Sequence, residues 1–297
     1  MCFVRVARAC SAAALMIAAS SLAARAQSTS DVFREAESKY MFGFIDGADI
    51  GNEGEKAIEY EATGSFQKRG GRYMALEHEF AFEHVPTQNF SYELSAHALT
   101  HSISGVEDLD DRSSTQFSGA SAKLRYLILG RGPGSPIGLT ISAEPEWSRV
   151  DGTDGTAVQA YASEFKIVAD TELIPNRLYA AINLMYEPEV AKPAETGMWE
   201  RSSSAGVGLA LAYRVTPTVA VGVAAEYDRA YDGLLFQTFQ GHALFAGPNV
   251  QINITRKVLL AAAFMGQVAG HAVDDPRALD LTNFERYRAN LKLEFEF

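Results

Sequence analysis

From Lys56 onward, apolar and polar residues alternate in long runs that break at glycine, proline, asparagine and aspartate. Side chains of a β-strand point to opposite faces with period two, so each run reads as a strand with one oily and one polar face. The last run is the clearest. Tyr287, Ala289, Leu291, Leu293, Phe295 and Phe297 share one face, and Arg288, Asn290, Lys292, Glu294 and Glu296 share the other. Eleven more runs precede it, near residues 56–67, 72–85, 89–101, 116–129, 137–150, 157–172, 177–187, 202–214, 219–228, 239–254 and 257–270. The oily rows include Ile58/Tyr60/Ala62, Leu178/Ala180/Ile182/Leu184/Tyr186, Val207/Leu209/Leu211/Tyr213 and Val219/Val221/Val223. The tenth run contains Gly247-Pro248, which predicts a break or kink in its ladder.

The connections between runs fall into two alternating sets. Pro86–Gln88, Arg131–Ser135, Ile174–Asn176, Thr216-Pro217 and Thr255-Arg256 are tight turns. Gly105–Ser114, Asp151–Thr156, Val190–Glu200, Ala230–Leu235 and His271–Asn283 are longer and more polar, and Lys68–Gly71 is a short exception among them. Transmembrane barrels have short turns at one rim and longer loops at the other. An even strand count then puts both termini on the turn side, which for a bacterial barrel is periplasmic. The predicted fold is all-β: a transmembrane, antiparallel, up-and-down β-barrel of about twelve strands.

Composition agrees with a membrane barrel. Hydrophobic residues make up 47% of the chain and mean hydropathy is −0.06, too low for a bundle of spanning helices. A barrel crosses lipid at this average because only alternate residues meet the bilayer. Residues 1–26 read as a secretory signal: Arg5 and Arg8, an apolar core over residues 9–23, then Ala24-Arg25-Ala26. Residues 27–55 form an N-terminal periplasmic or lumen segment, and residues 56–297 the barrel. Cys2 and Cys10 both lie in the leader, so the mature chain is expected to have no disulfide. Losing Arg5, Arg8 and Arg25 leaves 23 basic against 37 acidic residues and moves the net charge from −11 to −14. Such a balance argues against nucleic acid as a partner.

The terminal strand, ending on Phe297, resembles the C-terminal strand of Gram-negative outer-membrane β-barrels, in which that residue is an assembly signal read by the barrel assembly machinery. Tyr40–Gly54 leading into Glu55–Glu61 resembles the start of poorly characterised proteobacterial barrels of transporter-like or porin-like type. Gly222–Asp232 and Gly270–Arg286 are also similar to such proteins. The resemblance implies location in the cell outer membrane, with lipid and lipopolysaccharide around the wall and small solutes as partners of the lumen.

The polar rows carry the candidate chemistry. Glu77, Glu79, Glu83, Glu93, Glu144, Glu146 and Glu164 are the predicted lumen-lining acids, with Lys123, Arg125 and Lys166 as bases. Rings of carboxylates favour cations, so the expected function is a passive channel or transporter for small solutes with an acid-biased lumen. The alternative is a plugged structural or interaction barrel acting through its loops. The eighth, ninth and eleventh inner rows are mostly glycine and alanine, which leave room for a channel or for larger groups crossing from elsewhere. No catalytic constellation emerges: a serine near one of six histidines is expected by chance, and His78 and His84 fall on the oily face as interfacial residues. The acidic runs 107–111 and 151–155 lack the spacing of a twelve-residue calcium loop and read as solvated loop charge. Neither a metal nor another cofactor is implied. On the seventh strand, arginine is expected to be costly at outward Leu184 and tolerated at inward Asn183.

Overall fold

The computed structural model describes residues 37–132 and 135–297; the predicted leader and residues 27–36 lie outside them. Twelve strands follow the predicted runs: β1 (Lys56–Phe66), β2 (Gly70–Thr87), β3 (Phe90–Val106), β4 (Arg112–Leu129), β5 (Ile137–Val150) and β6 (Ala157–Ile174). The second half adds β7 (Leu178–Pro193), β8 (Glu200–Thr216), β9 (Val219–Asp232), β10 (Thr238–Asn253), β11 (Val258–Ala272) and β12 (Tyr287–Glu296). Each strand pairs antiparallel with its sequence neighbours, and β1 pairs with β12 from Ala57–Glu296 to Phe66–Tyr287, which closes the barrel. Closure matters because an open edge would leave unpaired N–H and C=O groups in hydrocarbon.

The predicted oily rows face outward. Ile58, Phe80, Leu94, Leu209 and Val223 are all more than half exposed. In water such a belt would be a severe liability; lipid covers it at no cost. Aromatic contacts mark the same surface. Tyr60 stacks on His78 and donates or accepts a 2.8 Å hydrogen bond with its Nδ1, and His84 meets the Tyr92 hydroxyl at 3.3 Å. Both histidines thus sit among tyrosines on the outer wall.

Two local expectations change. Strands extend beyond the oily belt at the loop end: β4 begins at Arg112 and β7 continues to Pro193, so most predicted long loops shrink to five or six residues. Ladder pairing continues there without needing an apolar face, so alternation marks only the part of each strand that meets lipid. The exception is the β11–β12 connection, residues 273–286, which stays long. Gly247-Pro248 does not break β10. Its pairing with β9 runs unbroken from Ala246–Ala225 to Asn249–Gly222, and toward β11 the ladder steps from Ala246–Gly266 to Asn249–Ala263. Proline lacks an N–H, so the strand tolerates it where no ladder bond is required of that residue. The actual irregularities of β10 lie between Leu244 and Phe245, opposite the extra β11 residue Val268, and at Gln240, an extra residue in the pairing with β9.

Candidate functional site

The space left by the small inner rows is occupied by the chain itself. Residues 38–50 lie inside the barrel, with residues 51–55 leading from them to β1, and Met41, Phe42, Ile45, Ala48 and Ile50 are at most 1% exposed. A tight turn joins Phe42 to Ile45 by an isolated bridge. Met41, Phe42 and Ile45 pack on Ala181, Ala210, Ala212, Ala220, Ala224 and Phe245. Each of those three side chains contributes on the order of 1.5–3 kcal/mol through burial. The fit depends on missing side chains: a Cβ at Gly208 would overlap Ile45 Cδ1, and one at Gly43 would lie 2.6 Å from Ala263 Cβ. Gly43 also has φ of 72°, a conformation that glycine adopts without steric cost. Glycine and alanine on β8, β9 and β11 therefore form the seat of this segment.

Polar contacts fix the segment on the opposite wall. Ser38 Oγ donates to Asp170, which also accepts from the Ala48 N–H at 3.1 Å and pairs with Arg131 at 2.8 Å. Arg125 Nη2 donates to the Gly47 carbonyl at 2.6 Å, and Thr140 Oγ1 donates to that of Ala48. Asp46 pairs with Lys166 at 3.2 Å, while the Asn183 amide brackets the Asp46 backbone at 3.0 and 2.7 Å. Asn183 is 4% exposed, so arginine there would push on Asp46. The expected tolerance of that inward position is therefore overturned: inward does not mean facing water when the lumen is filled.

Lys39 makes the most concentrated contact. Its ammonium lies between Glu59, at 3.2 Å, and Glu83. Oxygens of Glu59, Glu83 and Glu93 lie within 4.8 Å of one another, and all three side chains are buried. Lys292 adds a second cation, 3.3 Å from Glu59 and 2.6 Å from Glu61, and Tyr40 donates to Glu59 at 2.6 Å.

The other predicted lumen residues divide by their partners. Lys123 pairs with Glu144 at 3.0 Å and approaches Glu93 at 3.9 Å, and Lys166 pairs with Glu164 at 2.8 Å. Glu77 approaches His97 at 3.1 Å. Glu79 and Glu146 instead accept from Ser95 and Ser148, and Glu189, absent from the predicted set, accepts from Ser202 at 3.3 Å. Among the described residues no lysine or arginine pairs with these three. Phe297 caps the closing seam, its N–H donating to the Lys56 carbonyl at 3.0 Å while its ring stays 56% exposed.

A family profile covers residues 34–297, the whole barrel together with the segment that fills it. The chain belongs to the DUF6662 family, described as a family of unknown function. No curated protein matches it in sequence. Among solved structures, an outer-membrane channel from Pseudomonas putida F1 aligns with a TM-score of 0.57 at 13% identity, over 84% of this chain and 98% of its own. The translocator domain of the autotransporter NalP from Neisseria meningitidis aligns with a TM-score of 0.50 at 10% identity, over 84% of this chain and 91% of its own. At such identities the likeness shows the fold, that of an outer-membrane β-barrel.

At its loop end the DUF6662 barrel is roofed by the β11–β12 connection. Asp280 and Leu281 in it are buried, and Phe284 meets Phe245 edge to face at 6.3 Å. The short β1–β2 link, the exception among the predicted loops, holds this roof. Lys68 Nζ donates to the carbonyls of Thr282 and Phe284, and Arg69 donates to Asp275 and to the carbonyls of Ala278 and Leu279. Arg277 bridges Asp275 and Glu107, and its hydrogen bonds hold both carboxyls below the usual carboxylate range. The charges of Asp275 and Glu107 thus persist as pH falls to about 4, where ordinary carboxylates are about half protonated.

One wall cluster in the DUF6662 barrel has the order of a hydrolytic triad. His97 lies between Glu77 and Ser121, whose Oγ is 3.0 Å from Nε2. Sequence reading placed His97 inward but missed Ser121, because the partners come from three strands. Ser121 Oγ donates to Glu144 at 2.9 Å, so its proton is committed away from the imidazole. Ser121 also sits in regular register between Ser95 and Glu146, where sheet pairing uses the backbone amides that would have to stabilise an oxyanion. The cluster buttresses the wall.

Proposed function

We propose that the protein is an outer-membrane channel for small, positively charged solutes, closed in this conformation by residues 37–55. The observation that carries this reading is the group of lumen carboxylates with no lysine or arginine in ion-pair contact, Glu79, Glu146 and Glu189 among them. In a narrow passage walled by protein, such charges act at short range and are poorly screened. The outer-membrane channel of Pseudomonas putida F1, built on the same fold, supports a conducting role. In this reading both termini are periplasmic, the roof over residues 273–286 is extracellular, and lipopolysaccharide surrounds the loop-end rim. The filled lumen favours a second reading, a permanently plugged barrel.

Ion selectivity separates the two. Changing Glu79, Glu146 and Glu189 together to glutamine lowers cation preference in reversal-potential measurements across a salt gradient, because inner-wall substitutions tune selectivity more than stability. An unchanged reversal potential in a conducting variant would remove the acid-biased lumen. Failure of every variant to conduct would favour the plugged barrel. Assembly has its own test: Phe297→Ser weakens recognition of the last strand and lowers the fraction of heat-modifiable, membrane-inserted protein. Normal insertion of this variant would show that Phe297 is not the assembly signal.

A further inference from the structure

We propose that residues 37–55 are a releasable gate, and that the carboxylate cluster of Glu59, Glu83 and Glu93, the first two of which hold its Lys39, binds a primary ammonium group of the solute in its place. The substrate class rests on the channel reading above; the site does not.

The segment is attached in a way that permits release. Beside the apolar packing of Met41, Phe42 and Ile45, its polar contacts with the wall at residues 38–48 run through side chains: Lys39, Asp46 and Ser38 from the segment, and Asp170, Arg125 and Thr140 from the wall. Backbone pairing to the barrel appears only at its base, where Gly54 N–H donates to Val85 and Val85 N–H donates to Glu55. Gly51 and Gly54 lie at that base with φ of 85° and 86°, where a turn can reopen without crossing a side-chain barrier. A cavity of about 1010 Å³ at the terminus end separates Ser38, Ala48 and Asp49 from the β4–β5 and β6–β7 turns at Arg131 and Asn176. The segment has space beside it on the side from which it enters.

Electrostatics couples release to a ligand. With the segment in place, Lys39 and Lys292 both face Glu59, and the Tyr40 ring lies between the two ammoniums at 4.5 and 4.2 Å. When the segment leaves, its ammonium and the Tyr40 hydroxyl leave with it. Glu59, Glu83, Glu93 and the neighbouring buried Glu294 then face only Lys292 and Lys123. Buried carboxylates left without a counter-charge are strongly destabilised, so as Lys39 departs they must take up protons or another cation. The group already seated there shows which chemistry fits: a primary ammonium at the end of an alkyl arm. A divalent metal ion would sit beside two fixed lysine ammoniums and be repelled by both. Lys39 is thus a tethered competitor for the solute's own ammonium.

The probe is n-butylammonium, the free counterpart of a lysine side chain, with wild-type, Lys39→Met and Lys39→Met/Glu83→Gln proteins in detergent. If Lys39 occupies the site nine-tenths of the time or more, removing it raises the apparent affinity by about tenfold or more. Calorimetry is expected to show that gain in Lys39→Met and its loss in the double variant. Equal binding by wild type and Lys39→Met, or a gain that survives Glu83→Gln, would overturn the site. Binding of magnesium in preference to n-butylammonium would overturn the ammonium assignment. A second measurement needs no variant. Hydrogen–deuterium exchange of the folded wild type, read by mass spectrometry, is expected to find the hydrogen-bonded amides of Met41, Gly47 and Ala48 protected in sodium and exchanging when n-butylammonium replaces sodium at equal ionic strength. Protection that does not change would overturn the gate. Neither readout involves ion flux, so a barrel that binds the amine but never conducts would sink the channel reading and leave the site standing.

Discussion

Deleting residues 37–54 raises single-channel conductance in planar bilayers by about tenfold or more, because a twelve-strand barrel cleared of its contents has room for hydrated ions. The small inner rows of β8, β9 and β11 make the effect large. Gly208, Ala210, Ala212, Ala224 and Ala263 present nothing to replace Met41, Phe42 and Ile45 once these leave. The barrel itself persists, since the β1–β12 seam from Ala57–Glu296 to Phe66–Tyr287 involves none of the deleted residues. A folded deletion protein with wild-type conductance would show that the roof over residues 273–286, not the segment, closes the lumen. Heat-modifiable migration checks folding in the same preparation.

Leu184→Arg lowers the stability of the barrel by about 2–4 kcal/mol if the residue lies near the bilayer midplane. Leu184 is 46% exposed on the outer wall of β7, flanked by Ile182 at 41%, and lipid is the only medium that fits this row. An arginine there must drag water or headgroups into hydrocarbon or leave its charge unsolvated. Denaturant unfolding from phospholipid vesicles measures the loss, with Glu189→Gln on the inner face expected to stay near wild type. Equal stability of the two variants would remove the support for this facing, and the opposite ranking would mean that the register is wrong by one, because a single-residue slip exchanges the faces. Asn183→Arg is no longer a benign control. It strikes the Asp46 backbone and is expected to loosen the segment while leaving the wall intact.

The twelve strands, their order and their facing were legible because lipid imposes a local rule. Every second residue of a spanning stretch must be apolar, and that rule reads directly along the chain from Ile58 to Phe297. Signals faded where lipid ends. The continuation of β7 through Pro193 and the start of β4 at Arg112 carry no alternation, so they looked like loops. Gly247-Pro248 misled in the opposite direction, since a proline suits a strand position that owes no N–H to its neighbour. The acidic and basic inner rows were also legible as rows, but their pairing was not. Lys123 with Glu144 joins two strands, and Lys39 with Glu83 joins residues 44 positions apart. Glu189 escaped notice because it lies on β7 just past the end of the predicted seventh run at residue 187.

Alternation along the chain thus determined by itself that this protein is a closed antiparallel barrel with an oily outer wall and a charged inner one. That follows because each strand answers locally to the same solvent on the same side. What fills the barrel was decided only by tertiary structure. Residues 37–55 have no period that marks them for the lumen, and the glycine and alanine rows that receive them read equally well as open space. Whether a gap between walls holds water or chain depends on which side chains converge across it. That convergence brings Lys39, Glu59, Glu83 and Glu93 to one point from four separate parts of the sequence, and no local pattern encodes it.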